Sequence, residues 1–82
     1  MSRVTSISGR IADFTGGVSA FQVEARTVRA LMRELEARFP GLGDFVEDQM
    51  ALVIDGEIFQ DALGAEIGLD SEIVLIPKIA GG

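Results

Sequence analysis

The chain ends Ile79-Ala80-Gly81-Gly82, directly after the apolar run Ile73-Val74-Leu75-Ile76, which reads as a buried strand. A narrow, side-chain-free carboxylate thus follows immediately on a folded body. A terminal carboxylate is ionised at neutral pH, its ordinary pKa being about 3.5, and it is a poor electrophile. It reacts only once another enzyme has converted it to an activated acyl group, for which the terminus must enter a nucleotide site. Two glycines suit that entry, because without Cβ atoms they let backbone approach closely. Gly82 is the candidate reacting group, and Ile79, Ala80 and Gly81 are the segment that threads. Small residues do collect at termini, where order is commonly lost. With Gly at about 7% of average composition, Gly-Gly ends about one chain in two hundred by chance. The weight of the pair therefore comes from its position and from what the other residues lack.

There is no Cys, which excludes a disulfide, a thiolate nucleophile and a Cys-based zinc site. There is no His, the commonest general base and metal ligand. Ser6, Ser8 and Ser19 thus have no histidine to activate them, and acyl-enzyme chemistry on a side chain is not expected. Glu47-Asp48 and Asp55-Gly56-Glu57 lack calcium-loop spacing and read as solvated turn carboxylates, so no metal is expected. Gly41-Leu42-Gly43 is not followed by the Lys-Ser/Thr pair of a phosphate loop. The net charge of −6 argues against a nucleic-acid surface. No apolar stretch approaches membrane-spanning length and Met1-Ser2-Arg3-Val4-Thr5 has no signal-peptide core, so a cytoplasmic location is the default expectation.

The elements that position the terminus follow from periodicity. A first strand is expected from Arg3 to about Ser8, with Ile11 and Phe14 anchoring the connection that follows. Gly16-Gly17 marks a hairpin turn before a second strand, in which Phe21 and Val23 alternate with Gln22 and Glu24. Thr27 is the expected N-cap of a helix over 28–39, ended by Pro40-Gly41. Val28, Leu31, Met32, Leu35 and Phe39 form its apolar stripe, and Glu34 and Arg38 stand at the favourable i,i+4 spacing. Gly41 to Gln49 reads as a loop or short turn tucked down by Leu42, Phe45 and Val46. Ala51 to Ile54 is a third strand, and Asp55-Gly56 signals a type I′ hairpin into Glu57-Ile58-Phe59. A connection from Asp61 to Ser71, with a helical turn around Ala62-Leu63, leads to the last strand, Glu72 to Ile76. Its apolar character suits a central strand buried on both faces or flanked by parallel neighbours. Pro77 ends it, because proline cannot donate a ladder hydrogen bond. The pattern is one small α+β domain, residues 1–77, with a mixed sheet of four to five strands, one packed helix and a flexible tail, 78–82.

Thr27-Val28 opening the helix, Arg38-Phe39-Pro40-Gly41-Leu42 closing it, Ile54-Asp55-Gly56-Glu57 at the hairpin, and Ile76 to Gly82 resemble the MoaD/ThiS-type ubiquitin-like sulfur carriers. The likeness covers almost the whole chain, and the helix-closing stretch is most similar to the small subunit of molybdopterin synthase. Ala12-Asp13, where that branch commonly has an Arg, and Asp70-Ser71, in place of a Gly-Asp turn, depart from the pattern. The resemblance implies a β-grasp fold with the last strand at the sheet centre. It also implies a carrier rather than an enzyme, which binds no cofactor itself. An adenylyltransferase of the ubiquitin-activating type would use ATP to adenylate Gly82, and a sulfur donor would leave a thiocarboxylate there. The large subunit of molybdopterin synthase, or an analogous acceptor, would then take the sulfur. Alternatives of the same chemistry serve thiamine, cysteine, a thiolated tRNA base or a secondary metabolite, and a further one is a modifier joined through Gly82 to lysines. An exposed apolar sheet patch is expected to dock the partners, with Phe59, Ile79 and Lys78 as candidates. Lys78 is the only lysine, here read as a solvated charge.

Overall fold

The computed structural model describes residues 1–6, 9–60 and 63–78. Among them a five-stranded mixed sheet has the order β2-β1-β5-β3-β4, from β1 (Ser2–Ser6), β2 (Ala20–Val23), β3 (Met50–Ile54), β4 (Glu57–Phe59) and β5 (Glu72–Pro77). The last strand is the central one. It runs parallel to β1, with Val4 opposite Ile73, and antiparallel to β3, with Leu52 opposite Leu75. This is the β-grasp arrangement, and the strand before the terminal residues is anchored on both edges.

Period-two alternation sets which face of the sheet is covered. Val4, Val23, Leu52, Ile54, Ile73 and Leu75 are buried beneath the helices. Val74 and Ile76 point the other way and are only half-buried, so β5 is covered on one face and not on two. Register places Ala20, Thr5, Val74, Val53 and Ile58 in one row across the open face of all five strands.

The first connection holds a 3-10 turn, Gly9–Ile11, and a short helix α1, Ala12–Thr15, that ends at left-handed Gly16 and Gly17. Ile11 is buried, and Phe14 packs on Phe45 with ring centroids 5.1 Å apart. Helix α2, Val28–Arg38, matches expectation: the Thr27 side chain accepts from the Ala30 amide, and Val28, Leu31, Met32 and Leu35 are buried. The Glu34–Arg38 pair does not form. Glu34 instead accepts from the Glu24 and Ala25 amides, while Arg38 donates to the Gln22 carbonyl and lies over the Phe21 ring. Arg38 gains more from the edge strand β2, and Glu34 from the amides just after it, than either gains from the other across solvent.

The largest correction lies between Gly41 and Gln49. Leu42–Gln49 is a helix, α3, and the helical layer has a second packed member. Leu42 and Val46 are buried and Phe45 half-buried, which is the i, i+3, i+4 pattern of one helical face. Strand β1 begins one residue earlier than expected, at Ser2, and β3 one earlier, at Met50. Pro77 is the last residue of β5 instead of lying just beyond it. The Asp55-Gly56 turn is as expected, with φ of 50° and 87° at its two central residues. The helical turn expected at Ala62-Leu63 falls partly outside the described residues.

Candidate functional site

The terminal segment leaves the sheet from the middle strand, and both ends of that strand are held. At its start, the Glu72 amide donates to Asp55 Oδ1 at 2.9 Å and the Ser71 hydroxyl donates to Asp55 Oδ2 at 2.8 Å. The Ser71 amide donates to Ser2 Oγ at 3.1 Å, and Ser2 Oγ donates to the Gly68 carbonyl at 3.0 Å. Ser2 and Ser71 are buried, so their hydroxyls tie β1 to the turn that launches β5. The Glu72 amide, followed by the Ser71 hydroxyl, holds the Asp55 carboxyl below its usual range. Asp55 is thus exposed but structural, and not merely a solvated turn residue.

At the other end, Pro77 lies opposite Met50, and the Lys78 amide donates to the Gln49 carbonyl at 3.0 Å. The ladder therefore continues one residue past the proline. Lys78 Nζ also donates to the Glu47 carbonyl at 3.4 Å, and the side chain is half-buried. Lys78 thus joins β5 to the last turn of α3 through its backbone amide, with its ammonium group at the surface beside the Glu47 carbonyl.

Helix α3 is itself fixed by α2. Glu36 Oε2 accepts from the Gly41 amide at 2.6 Å and Oε1 from the Asp44 amide at 3.3 Å, which satisfies donors at the α3 N-terminus. These bonds, led by that from Gly41, hold the Glu36 carboxyl below its ordinary range, against an opposing desolvation. Gly43 lies where α2 and α3 touch: a Cβ there would stand 2.6 Å from the Met32 carbonyl oxygen and 2.9 Å from Glu36 Cβ. Only glycine permits that approach.

Gly82, Gly81, Ala80 and Ile79 lie outside the described residues. Lys78 stands at their root. Phe59 pairs with Leu52 on the helix side, where it is half-buried on the core and lines a small pocket with Val28, Met32 and Val46. Its neighbour Ile58 is 53% exposed on the open face, beside Val53. The alternation of β4 carried that signal, since only one of two adjacent apolar residues can face the core. The roles of Glu36, Gly43 and Ser71 are longer-range, and the isolated sequence gave little sign of them.

A central strand running out into the terminal segment, flanked by a helical layer on one face, defines the ubiquitin-like β-grasp class. The ThiS family model matches residues 6–82, and the chain belongs to that family. That family is one of ubiquitin-like sulfur carriers. Among solved structures it is similar to CysO of Mycobacterium tuberculosis, with a TM-score of 0.83 and 19% identity over 96% of this chain and 100% of that one. It is also similar to SAMP1 of Haloferax volcanii, with a TM-score of 0.72 and 22% identity over 99% and 98%. A third likeness is to a putative molybdopterin converting factor, subunit 1, of Pyrococcus furiosus, with a TM-score of 0.74 and 17% identity over 95% and 97%. At these identities the likenesses show the fold. No curated protein sequence matches the chain. Among the described residues no helix is long and apolar enough to cross a membrane.

Proposed function

We propose that this protein carries sulfur as a thiocarboxylate on Gly82. The observation that carries the proposal is the family match, which runs through Ala80-Gly81-Gly82 at the end of a firmly held central strand. An adenylyltransferase of the ubiquitin-activating type joins the Gly82 carboxylate to the α-phosphate of ATP and releases pyrophosphate. Sulfide attacks the acyl carbon and AMP leaves; where the donor is a persulfide, its outer sulfur attacks instead, and a thiol then cleaves the resulting acyl disulfide, forming a disulfide with the donor's sulfur and freeing the thiocarboxylate. The product retains one oxygen and gains one sulfur, and it supplies that sulfur to a synthase. The chain acts as substrate and carrier, and the ATP belongs to its partner.

The acceptor proposed first is the molybdopterin precursor, through the large subunit of molybdopterin synthase. The Phe39-Pro40-Gly41-Leu42 resemblance and the likeness to the Pyrococcus protein support it. A second reading draws on the likenesses to CysO and SAMP1: the same chemistry directed to cysteine or another acceptor, or conjugation to protein lysines. The open row of Thr5, Val74, Val53 and Ile58 is the docking face in either case, as a largely apolar, partly exposed strip across the sheet that crosses β5 four residues before Lys78.

Incubation with the organism's own activating enzyme, ATP and sulfide should raise the intact mass by the difference between sulfur and oxygen. Deleting Gly82 should abolish the change and leave thermal unfolding unaltered. No mass change, with the enzyme shown to be active, would overturn the carrier reading. Lysine-linked conjugates in place of a thiocarboxylate would establish the modifier reading.

A further inference from the structure

Helices α2 and α3 leave a groove between them on the outer side of the helical layer, away from the open sheet face. Its volume is about 440 Å³, and it is broadly open to solvent. Helical spacing builds its walls. Met32 with Glu36, and Arg33 with Ala37, stand four apart on α2, while Gly43 stands four before Glu47 on α3. The floor is apolar: Met32 and Gly43 are buried, and at Gly43, where the helices touch, no side chain fills the space. The walls are charged. Asp44 and Glu47 are exposed on the α3 side, and among the described residues neither carboxylate forms an ion pair. Glu36 is already engaged by the Gly41 and Asp44 amides, and Lys78 meets Glu47 at its carbonyl. Arg33, on the opposite wall, repels a cation and so directs one toward α3.

We propose that this groove docks a partner protein by an arginine or lysine side chain, its stem on Met32, Ala37 and Gly43 and its cation at Asp44 and Glu47. An apolar floor beside carboxylates matches a side chain with an apolar stem and a charged tip. Neither half suffices alone, since an exposed ion pair is weak and the apolar floor is small. The open shape decides against a small ligand, which needs most of its surface buried. A protein segment can instead lay one side chain in the groove and rest on its rims. A partner seated there leaves the row of Thr5, Val74, Val53 and Ile58 uncovered, so two proteins can hold the chain at once. This goes beyond the carrier reading and does not depend on it.

The test is an NMR titration of the full chain, labelled with nitrogen-15, with a blocked Gly-Arg-Gly peptide. Saturable amide shifts should fall on residues 32–37 and 43–47 and spare Thr5, Val53, Ile58 and Val74. The double variant Asp44→Asn, Glu47→Gln should weaken binding about tenfold or more, the scale of one charge-assisted hydrogen bond. Asp13→Asn with Glu57→Gln removes the same charge from exposed positions elsewhere. It should change binding by less than about twofold, because distant exposed charges are screened. A blocked Gly-norleucine-Gly peptide, with the stem and no cation, should bind about tenfold more weakly than the arginine peptide. Shifts spread over every acidic surface, or equal losses in the two double variants, would reduce the effect to net charge and overturn the proposal. Equal binding of the norleucine peptide would make the groove an apolar contact and overturn it as well. So would the absence of any saturable shift in the groove.

Discussion

Helices α2 and α3 lie side by side, joined by Phe39-Pro40-Gly41, yet different kinds of residue hold them in place. In α2 the N-cap is the residue immediately before it, Thr27, and four apolar side chains recur at helical spacing along its length. In α3 the residue before the first turn is Gly41, with no side chain to offer, and Gly43 sits in the first turn. Its N-terminal amides turn to Glu36 of α2 and its C-terminal carbonyls to Lys78 after β5. One helix carries its own stop and start signals. The other borrows them from residues five positions before it and about thirty after it.

That contrast can be broken most sharply at Gly43. A methyl group there meets the Met32 carbonyl and the Glu36 Cβ, both parts of a rigid neighbouring helix. Gly43→Ala should cost about 1–3 kcal/mol through overpacking, despite the usual preference of helices for alanine. Denaturant unfolding reads the loss. An unchanged or raised midpoint would mean that α3 does not depend on its contact with α2.

Thr27→Ala tests the self-contained helix. Its hydroxyl oxygen accepts from the Ala30 amide at 3.1 Å, and loss of such a cap costs about 1 kcal/mol. The effect should be smaller than that of Gly43→Ala, because α2 also has four buried anchors and backbone bonds from Val28 and Arg29 to Ala65 and Leu63. Reversal of this order, in the same unfolding measurement, would remove the distinction between the two helices.

The comparison also explains what was legible in the sequence. Strands β2 to β5, helix α2 and the Asp55-Gly56 turn follow from alternation, a local cap and a positive-φ turn, each set by residues within a few positions. Helix α3 was hidden although Leu42, Phe45 and Val46 have helical spacing. Eight residues are too few for a stable isolated helix, and two glycines at its start argue for a loop when read alone. For the site the limit was similar. The terminal glycines announce themselves as a pattern, whereas the bond from Lys78 to Gln49 depends on which strand lands beside Met50. Sequence alone points to Phe59 although Ile58 is the residue that faces solvent, because the alternation of a three-residue strand has no phase until its partner is known. Charge spacing misled for Glu34 and Arg38, since an exposed pair gains less than a bond to unpaired edge backbone.

The borrowed cap also differs from the local one in being ionisable. Thr27 keeps its hydrogen bond at any pH, whereas Glu36 holds the α3 amides as a carboxylate. The Gly41 amide and its neighbours lower the folded-state pKa of Glu36 from an ordinary 4.5, and the Glu72 amide with the Ser71 hydroxyl lowers that of Asp55 from 3.8. A depressed folded pKa means that the unfolded chain takes up the proton first as pH falls. The contribution is complete above the ordinary value and disappears as pH drops through the folded one. Stability should accordingly be level near neutrality and decline below about pH 4.5. Glu36→Gln should flatten part of that decline and Asp55→Asn a separate part, since one acts at α3 and the other at the start of β5. Thr27→Ala should shift the whole curve down without altering its slope. Unfolding midpoints of the four proteins between neutral and acid pH check this, and an acid limb as steep in Glu36→Gln as in the parent would show that α3 does not rest on that carboxylate.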